Sequence, residues 1–202
     1  MKKFFYLMAA CGLAMWAAGC SDEAKTPAKK AKAVEPVTGQ SALFRMFQVA
    51  RSWAPDVQIL KMNSIHLTEV PNVAGKAGAW QATFTSATMS AARPYTYSVI
   101  ESEGNLHEGV FAGQQESWSG PATKPFLIAG VKVDTDAAHK TAMGQAGEAQ
   151  KKDPNQTISF LLERQEGSVN PAWRVIWGES AGTSSFSVLV DASTGEYLKT
   201  LH

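Results

Sequence analysis

VLVDASTGEYL, Val188 to Leu198, is the stretch on which the reading of this chain turns. It sets an aspartate, two hydroxyl side chains, a glycine and a glutamate between apolar residues, so it is either a reactive loop or a hairpin turn. Val188 and Val190 alternate with Leu189 as residues on a strand do. DASTG then places Gly195 where a turn needs positive φ, and Tyr197 opens a return strand. Asp191 is expected to accept backbone hydrogen bonds inside the turn. The stretch therefore predicts a hairpin, and that hairpin closes a longer pattern.

Upstream of it, QTISFLLERQ, AWRVIWGES and SFSVLVDAS precede GEYLKTL, giving four strand-like runs separated by turn residues. Before these lies DAAHKTAMGQAGEAQKK, with Asp134 and Thr135 as N-capping residues and Ala138, Ala142, Ala146 and Ala149 at helical spacing. An alanine stripe lets a helix lie close on a sheet. The first half repeats the order. Ser41 is placed to cap the helix ALFRMFQVARSW, in which Leu43, Phe47, Ala50 and Ala54 share a face, and Pro55 excludes its continuation. VQILKMNSIHL, AWQATFTSATM, PYTYSVIES and NLHEGVF follow as strands. Both second strands open on Ala-Trp, at Ala79-Trp80 and Ala172-Trp173, and the turns from third to fourth strand carry Gly104 and Gly195. The spacings from Trp to Gly are 24 and 22 residues. The expected fold is α+β, built from two units of one helix and a four-stranded antiparallel sheet.

An alanine-rich helix, an apolar strand, PAWRV, and a closing VLVDASTGEYLK together resemble the PepSY family, over Val131 to Leu201. The first half shares the order of elements, with ESEG in place of the Asp-rich turn. Two such units in tandem resemble the architecture of the β-lactamase inhibitor protein, a helix-backed antiparallel sheet. The resemblance implies a non-catalytic module. The family occurs in propeptides of thermolysin-type metallopeptidases and in envelope proteins, where it binds or restrains peptidases, and it brings no catalytic motif.

The N-terminal region sets the expected compartment. Lys2 and Lys3 precede an apolar run from Phe4 to Ala18, which at about 15 residues is shorter than the roughly 20 that span a bilayer. The run exits through Ala17-Ala18-Gly19-Cys20. AAGC resembles the lipobox of bacterial lipoproteins, which implies that Cys20 is lipidated and becomes the mature N-terminus. Ser21, and not the aspartate that usually retains such proteins in the inner membrane, follows it. The resemblance therefore implies a lipid anchor in the cell envelope, on the periplasmic side of the outer membrane. Residues 21–38, SDEAKTPAKKAKAVEPVT, hold four lysines, two prolines and almost no large apolar side chain, so they read as a flexible tether reaching on the order of 25 Å from the membrane. The organisation expected is a signal peptide over 1–19, lipidated Cys20 and tether over 20–38, a first unit over 39–117, a connection over 118–133 and a second unit over 134–202.

Composition narrows the function. Cys11 leaves with the signal and Cys20 carries the lipid, so the mature domain has no thiol for a disulfide, a metal or nucleophilic catalysis. Removing Lys2 and Lys3 leaves 17 basic against 18 acidic residues, a balance that does not recommend nucleic acid. His66, His107, His139 and His202 are scattered, with no HExxH or HxH spacing, and there is no nucleophile elbow, phosphate loop or dinucleotide fingerprint. His107 and His139 read as solvated side chains, and Trp118 as a residue packed at the hinge between units. No enzyme activity, metal or cofactor is expected.

Strand alternation sorts the remaining candidates by face. Trp80, Ala82 and Phe84, with Trp173, Val175 and Trp177, are expected to face the helices as core. The opposite face should carry a polar set, Gln81, Thr83, Thr85, Thr96 and Ser98, in the first half. In the second it should carry Leu161, Arg174, Ile176 and Leu189, which is more apolar than a solvated face requires. These four are the candidate partner-binding residues, for a peptidase or an extended peptide. The alternative is that they join the two units in an envelope scaffold or assembly subunit without a soluble ligand.

Overall fold

The computed structural model describes residues 34–120, 124–153 and 155–202, with only the backbone of 148–152. The signal peptide, Cys20 and most of the tether lie outside these residues. In chain order the elements are β1 (Val37–Thr38), α1 (Gly39–Trp53), β2 (Gln58–Ile65), β3 (Lys76–Ala77), β4 (Ala79–Ser86), β5 (Ala91–Ser98), β6 (Gly109–Ala112) and β7 (Glu116–Ser117). A 3-10 turn at Ile128–Gly130 leads to α2 (Thr135–Lys152), β8 (Ile158–Arg164), β9 (Pro171–Trp177), β10 (Ser187–Asp191) and β11 (Tyr197–Leu201). The fold is α+β. No helix among the described residues is long and apolar enough to cross a membrane.

One sheet takes nine of the strands, in the order β11-β10-β9-β8-β2-β4-β5-β6, with β7 also on β5. Each half contributes four consecutive antiparallel strands, and the halves join through their first strands, β2 against β8, with Asn63 opposite Leu161. Both helices pack on the same face. Leu43, Met46 and Ala50 of α1 and Ala138, Ala142 and Ala146 of α2 share one core with Trp80, Phe84, Phe160, Trp173, Val175 and Val188. The alanine stripe of α2 is fully covered, as its spacing predicts, up to Ala146; Gly147, at φ 30°, then breaks the regular helix. The side chain of Ala149 lies outside the described residues.

The two tryptophans of the Ala-Trp pairs hold equivalent positions. Trp80 donates its indole N–H to the carbonyl of Val37 at 3.1 Å and Trp173 donates to Val133 at 2.8 Å. Each acceptor lies two residues before the first residue of a helix, so each ring is buried and satisfied by the chain that leads into its own half's helix. The rings meet edge to face at 6.5 Å. Gly39 sits at that meeting point: a Cβ there would lie 2.7 Å from Thr135 Cγ2 and 2.9 Å from the Trp173 ring. Only glycine lets α1 start so close to the second half.

Capping crosses between the halves as well. Ser41 does not cap α1, since it is the third residue of the helix, and the N-cap residue Thr38 makes no side-chain capping bond. The first N–H groups of α1 are taken by the other half: Gly39 N–H donates to Thr135 Oγ1 at 2.8 Å and Gln40 N–H to Asp134 Oδ1 at 2.9 Å. The same Asp134 Oδ1 accepts from Thr135 N–H at 2.7 Å, so one carboxylate serves the positive ends of two helices. Replacing Asp134 with alanine is expected to lower stability to urea by about 1–2 kcal/mol, the upper range for a cap, whereas Asp134→Asn keeps an acceptor and should lose much less. Equal losses in the two variants would show that the shared cap is not what stabilises this junction.

Candidate functional site

Opposite the helices the sheet presents a face that neither helix covers. Cross-strand register aligns one row across eight strands: Lys199, Leu189, Arg174, Leu161, Asn63, Gln81, Thr96 and Phe111. Three of the sequence-predicted residues, Leu161, Arg174 and Leu189, are consecutive in it. Ile176 stands in the next row, between Ser187 and Ser159. The topology therefore brings all four together on the second half of the face. Leu161 alone stands at the junction of the halves, opposite Asn63.

Their exposure divides them. Leu161 and Arg174 are half-buried, whereas Ile176 is 2% exposed and Leu189 1%. The Arg174 Nε donates to Ser187 Oγ at 2.8 Å. Arg174 is paired with Leu189 and Ser187 with Ile176, so this hydrogen bond runs diagonally across the quartet. Ile176 and Leu189 are buried and do not form an exposed apolar patch. In this row the second half leaves Leu161 and Arg174 half-exposed and Lys199 exposed.

The first half is not the open polar surface that alternation suggests. Gln81, Thr83 and Thr96 are half-buried, but Thr85 and Ser98 are 2% and 1% exposed. The connection between β2 and β4 folds back over this end of the sheet, where Leu67 and Val70 pack with Ala79 in a small second core bordered by Val99, Ile100 and Leu106. Gly78 permits the approach, because a Cβ there would lie 2.8 Å from Val70 Cβ and 2.9 Å from its carbonyl oxygen. Together with the turn before β6, the connection walls a pocket of about 530 Å³. Gln81 and Thr96 form its floor, Leu67 and Leu106 line its walls, and Glu69 and Glu103 stand at its rim. Sequence periodicity marked Gln81 and Thr96 only as polar; the contribution of Glu69 and Glu103 depends on loops whose path carries no periodic signal.

The two corresponding turns are structural. Asp191 Oδ1 accepts from Ser193 N–H at 2.7 Å and Thr194 N–H at 2.9 Å, while Oδ2 accepts from Asn170 at 3.1 Å, and Gly195 takes φ 81°. Burial raises the pKa of this carboxyl, but its hydrogen bonds with Asn170, Ser193 and Thr194 outweigh it and hold the group below the usual carboxylate range. In the first half Glu101 Oε2 accepts from Glu108 N–H at 3.0 Å, its Oε1 lies 2.7 Å from His107 Nδ1, and Gly104 takes φ 77°. These bonds, the backbone one first, lower its pKa. A carboxylate one turn before a left-handed glycine thus organises both turns.

The histidines stay apart. His107 is paired with Glu101 and lies tilted against Phe111 at 4.7 Å, and His202 lies 5.6 Å from Phe186. His139 is not solvated: it is half-buried against Phe160 at 6.4 Å, and burial lowers its pKa. His66 lines the pocket. Trp118 is half-buried, and its backbone N–H donates to the Ser90 carbonyl at 2.9 Å. Among the described residues no three His, Cys, Asp or Glu side chains converge as metal ligands would.

No family model matches the chain, and no curated protein does. Among solved structures, a protein described as a "putative lipoprotein" from Clostridium difficile 630 is similar at 9% identity, with a TM-score of 0.46, over 85% of this chain and 95% of that one.

Proposed function

We propose that this is a non-catalytic, lipid-anchored protein of the cell envelope, built from two PepSY-like repeats, whose uncovered sheet face binds a peptidase or an extended peptide. The observation that carries the binding reading is the asymmetry of the sheet: both helices and the large core occupy one face, and the other holds an eight-strand row of side chains that no helix among the described residues covers. The equivalent indole bonds of Trp80 and Trp173 and the matching carboxylate turns support the repeat reading. The lipid anchor rests on AAGC alone. A scaffold role is the second reading, favoured by the burial of Ile176 and Leu189, which makes the apolar part of the second-half patch an internal feature.

The binding reading is tested with Leu161→Asp and Arg174→Glu at half-exposed positions, each variant's thermal melt being recorded because Arg174 also bonds the buried Ser187. Envelope proteins cross-linked to the parent chain are expected to be lost, by about tenfold or more in recovered partner, from the Arg174→Glu variant if the guanidinium meets a carboxylate or carbonyl. Recovery unchanged in both variants, with both folded, would favour the scaffold. For the anchor, Cys20→Ser is expected to move the protein from the membrane to the soluble fraction, because an unlipidated tether retains no apolar anchor. An unchanged mature mass and unchanged fractionation would exclude lipidation.

A further inference from the structure

A second pocket, of about 440 Å³, opens where the sheet forks. β2 lies beside β8 at Lys61–Asn63, but its Ile59 instead exchanges two backbone hydrogen bonds, each 2.9 Å, with Phe126 of the connection between the halves. Arg164, the last residue of β8, bridges the fork by donating from Nη1 to the Pro125 carbonyl at 3.4 Å. We propose that this pocket binds the C-terminal residue of a peptide, with its carboxylate on Arg164 and its apolar side chain against Leu127 and Val169. Arg164 is half-buried and lines the pocket, and no carboxylate pairs with it among the described residues. Its one bond to Pro125 is long, so its fork of N–H donors can still meet a carboxylate in bidentate fashion. Leu127 is 61% exposed and Val169 86%, leaving large apolar side chains at the same pocket for a ligand to cover. Gly130 and Pro171, which also line it, are held in place without a ligand. A Cβ on Gly130 would lie 3.2 Å from Pro171 Cδ, Ser193 Oγ donates to the Gly130 carbonyl at 2.6 Å, and the Pro171 carbonyl accepts from Ala192 N–H at 2.9 Å. A site fixed in advance loses little in ordering when it binds.

Other ligand classes fit worse. A cation would approach an arginine, and no Asp or Glu lines the pocket to offset it. A phosphate would meet one guanidinium and otherwise apolar walls, with no lysine or second arginine in the lining. A wholly apolar group would take water from the guanidinium without giving it an acceptor. An aspartate or glutamate side chain brings the carboxylate but nothing to cover Leu127 and Val169. A C-terminal residue carries both groups on one carbon atom. Neither Leu161 nor Arg174 lines this pocket, so this site and the partner surface proposed above can fail separately.

The test is calorimetric titration of the full-length chain in non-ionic detergent with acetylated tetrapeptides that share three leading residues, glycine, serine and glycine. One ends in leucine with a free carboxylate, one in leucine amide, one in serine with a free carboxylate and one in glutamate amide; 4-methylpentanoate is a fifth probe. The leucine acid is expected to bind at least about tenfold more tightly than its amide, and more tightly than the serine acid and the glutamate amide. Arg164→Gln should remove the preference for acid over amide, and Arg164→Lys, which keeps the charge but not the planar fork, should retain only part of it. Leu127→Ser should weaken the leucine acid and leave the serine acid nearly unchanged. Equal affinity for the leucine acid and its amide in the parent chain, or no binding of any probe, would overturn the proposal without recourse to a variant. So would a preference that survives Arg164→Gln, and 4-methylpentanoate or the glutamate amide binding as tightly as the leucine acid would overturn the assignment to a peptide C-terminus.

Discussion

Replacing Trp173 with alanine is expected to remove about 3–5 kcal/mol of stability, the range for deleting a fully buried large aromatic side chain. The ring is 0% exposed, meets Trp80 at 6.5 Å and lies where the first residue of α1 approaches from the other half. Its loss therefore opens a cavity at the point where both helices and both halves of the sheet converge, and it strands the Val133 carbonyl that the indole N–H satisfies. Against a total of about 5–15 kcal/mol for an ordinary domain, such a loss leaves a large unfolded fraction. Urea titration followed by circular dichroism measures it. Trp80→Ala should come close, since its ring is equally buried and its bond to Val37 slightly longer. If Trp173→Ala melts with the parent, the junction of the halves does not depend on the paired indoles.

The second large effect is expected at Ile176. From strand alternation alone, an aspartate there would sit on an open face and leave folding untouched. With Ile176 2% exposed, the substitution places a carboxylate in a nearly dry site, and a cost of roughly 3–5 kcal/mol follows unless Arg174 turns to meet it. The comparison with Leu161→Asp is what makes the measurement informative, because Leu161 is half-buried and can hold a charge at the water boundary. Thermal melts of the two variants should differ widely, with Ile176→Asp the less stable. Similar melts would mean that Ile176 is available to a partner after all.

Local sequence carried the elements because their causes are local. The period of two in AWRVIW, the 3.6 period of Ala138, Ala142 and Ala146, and the left-handed demand met by Gly104 and Gly195 each arise within a few residues, so eight strands and two helices could be read in order. So could the Trp face, since alternation fixes which residues oppose which. The two-residue strands β1, β3 and β7 have no period to show and went unread.

What only the tertiary structure decided lies between residues far apart in the chain. Pairing of β2 with β8 makes one sheet of two halves, and a choice of edges is invisible to the pattern within each strand. The capping of α1 by Asp134 joins residues 94 positions apart, so the nearby Ser41 looked like the cap and was not. Alternation says which face Ile176 and Leu189 occupy, but whether they meet water depends on what packs over that face, and both are buried. The pocket over Gln81 and Thr96 exists because Gly78 lets an aperiodic loop pack on the sheet. The sequence by itself determined which faces exist, through backbone geometry; the tertiary structure decided what covers them, through contacts no local period encodes.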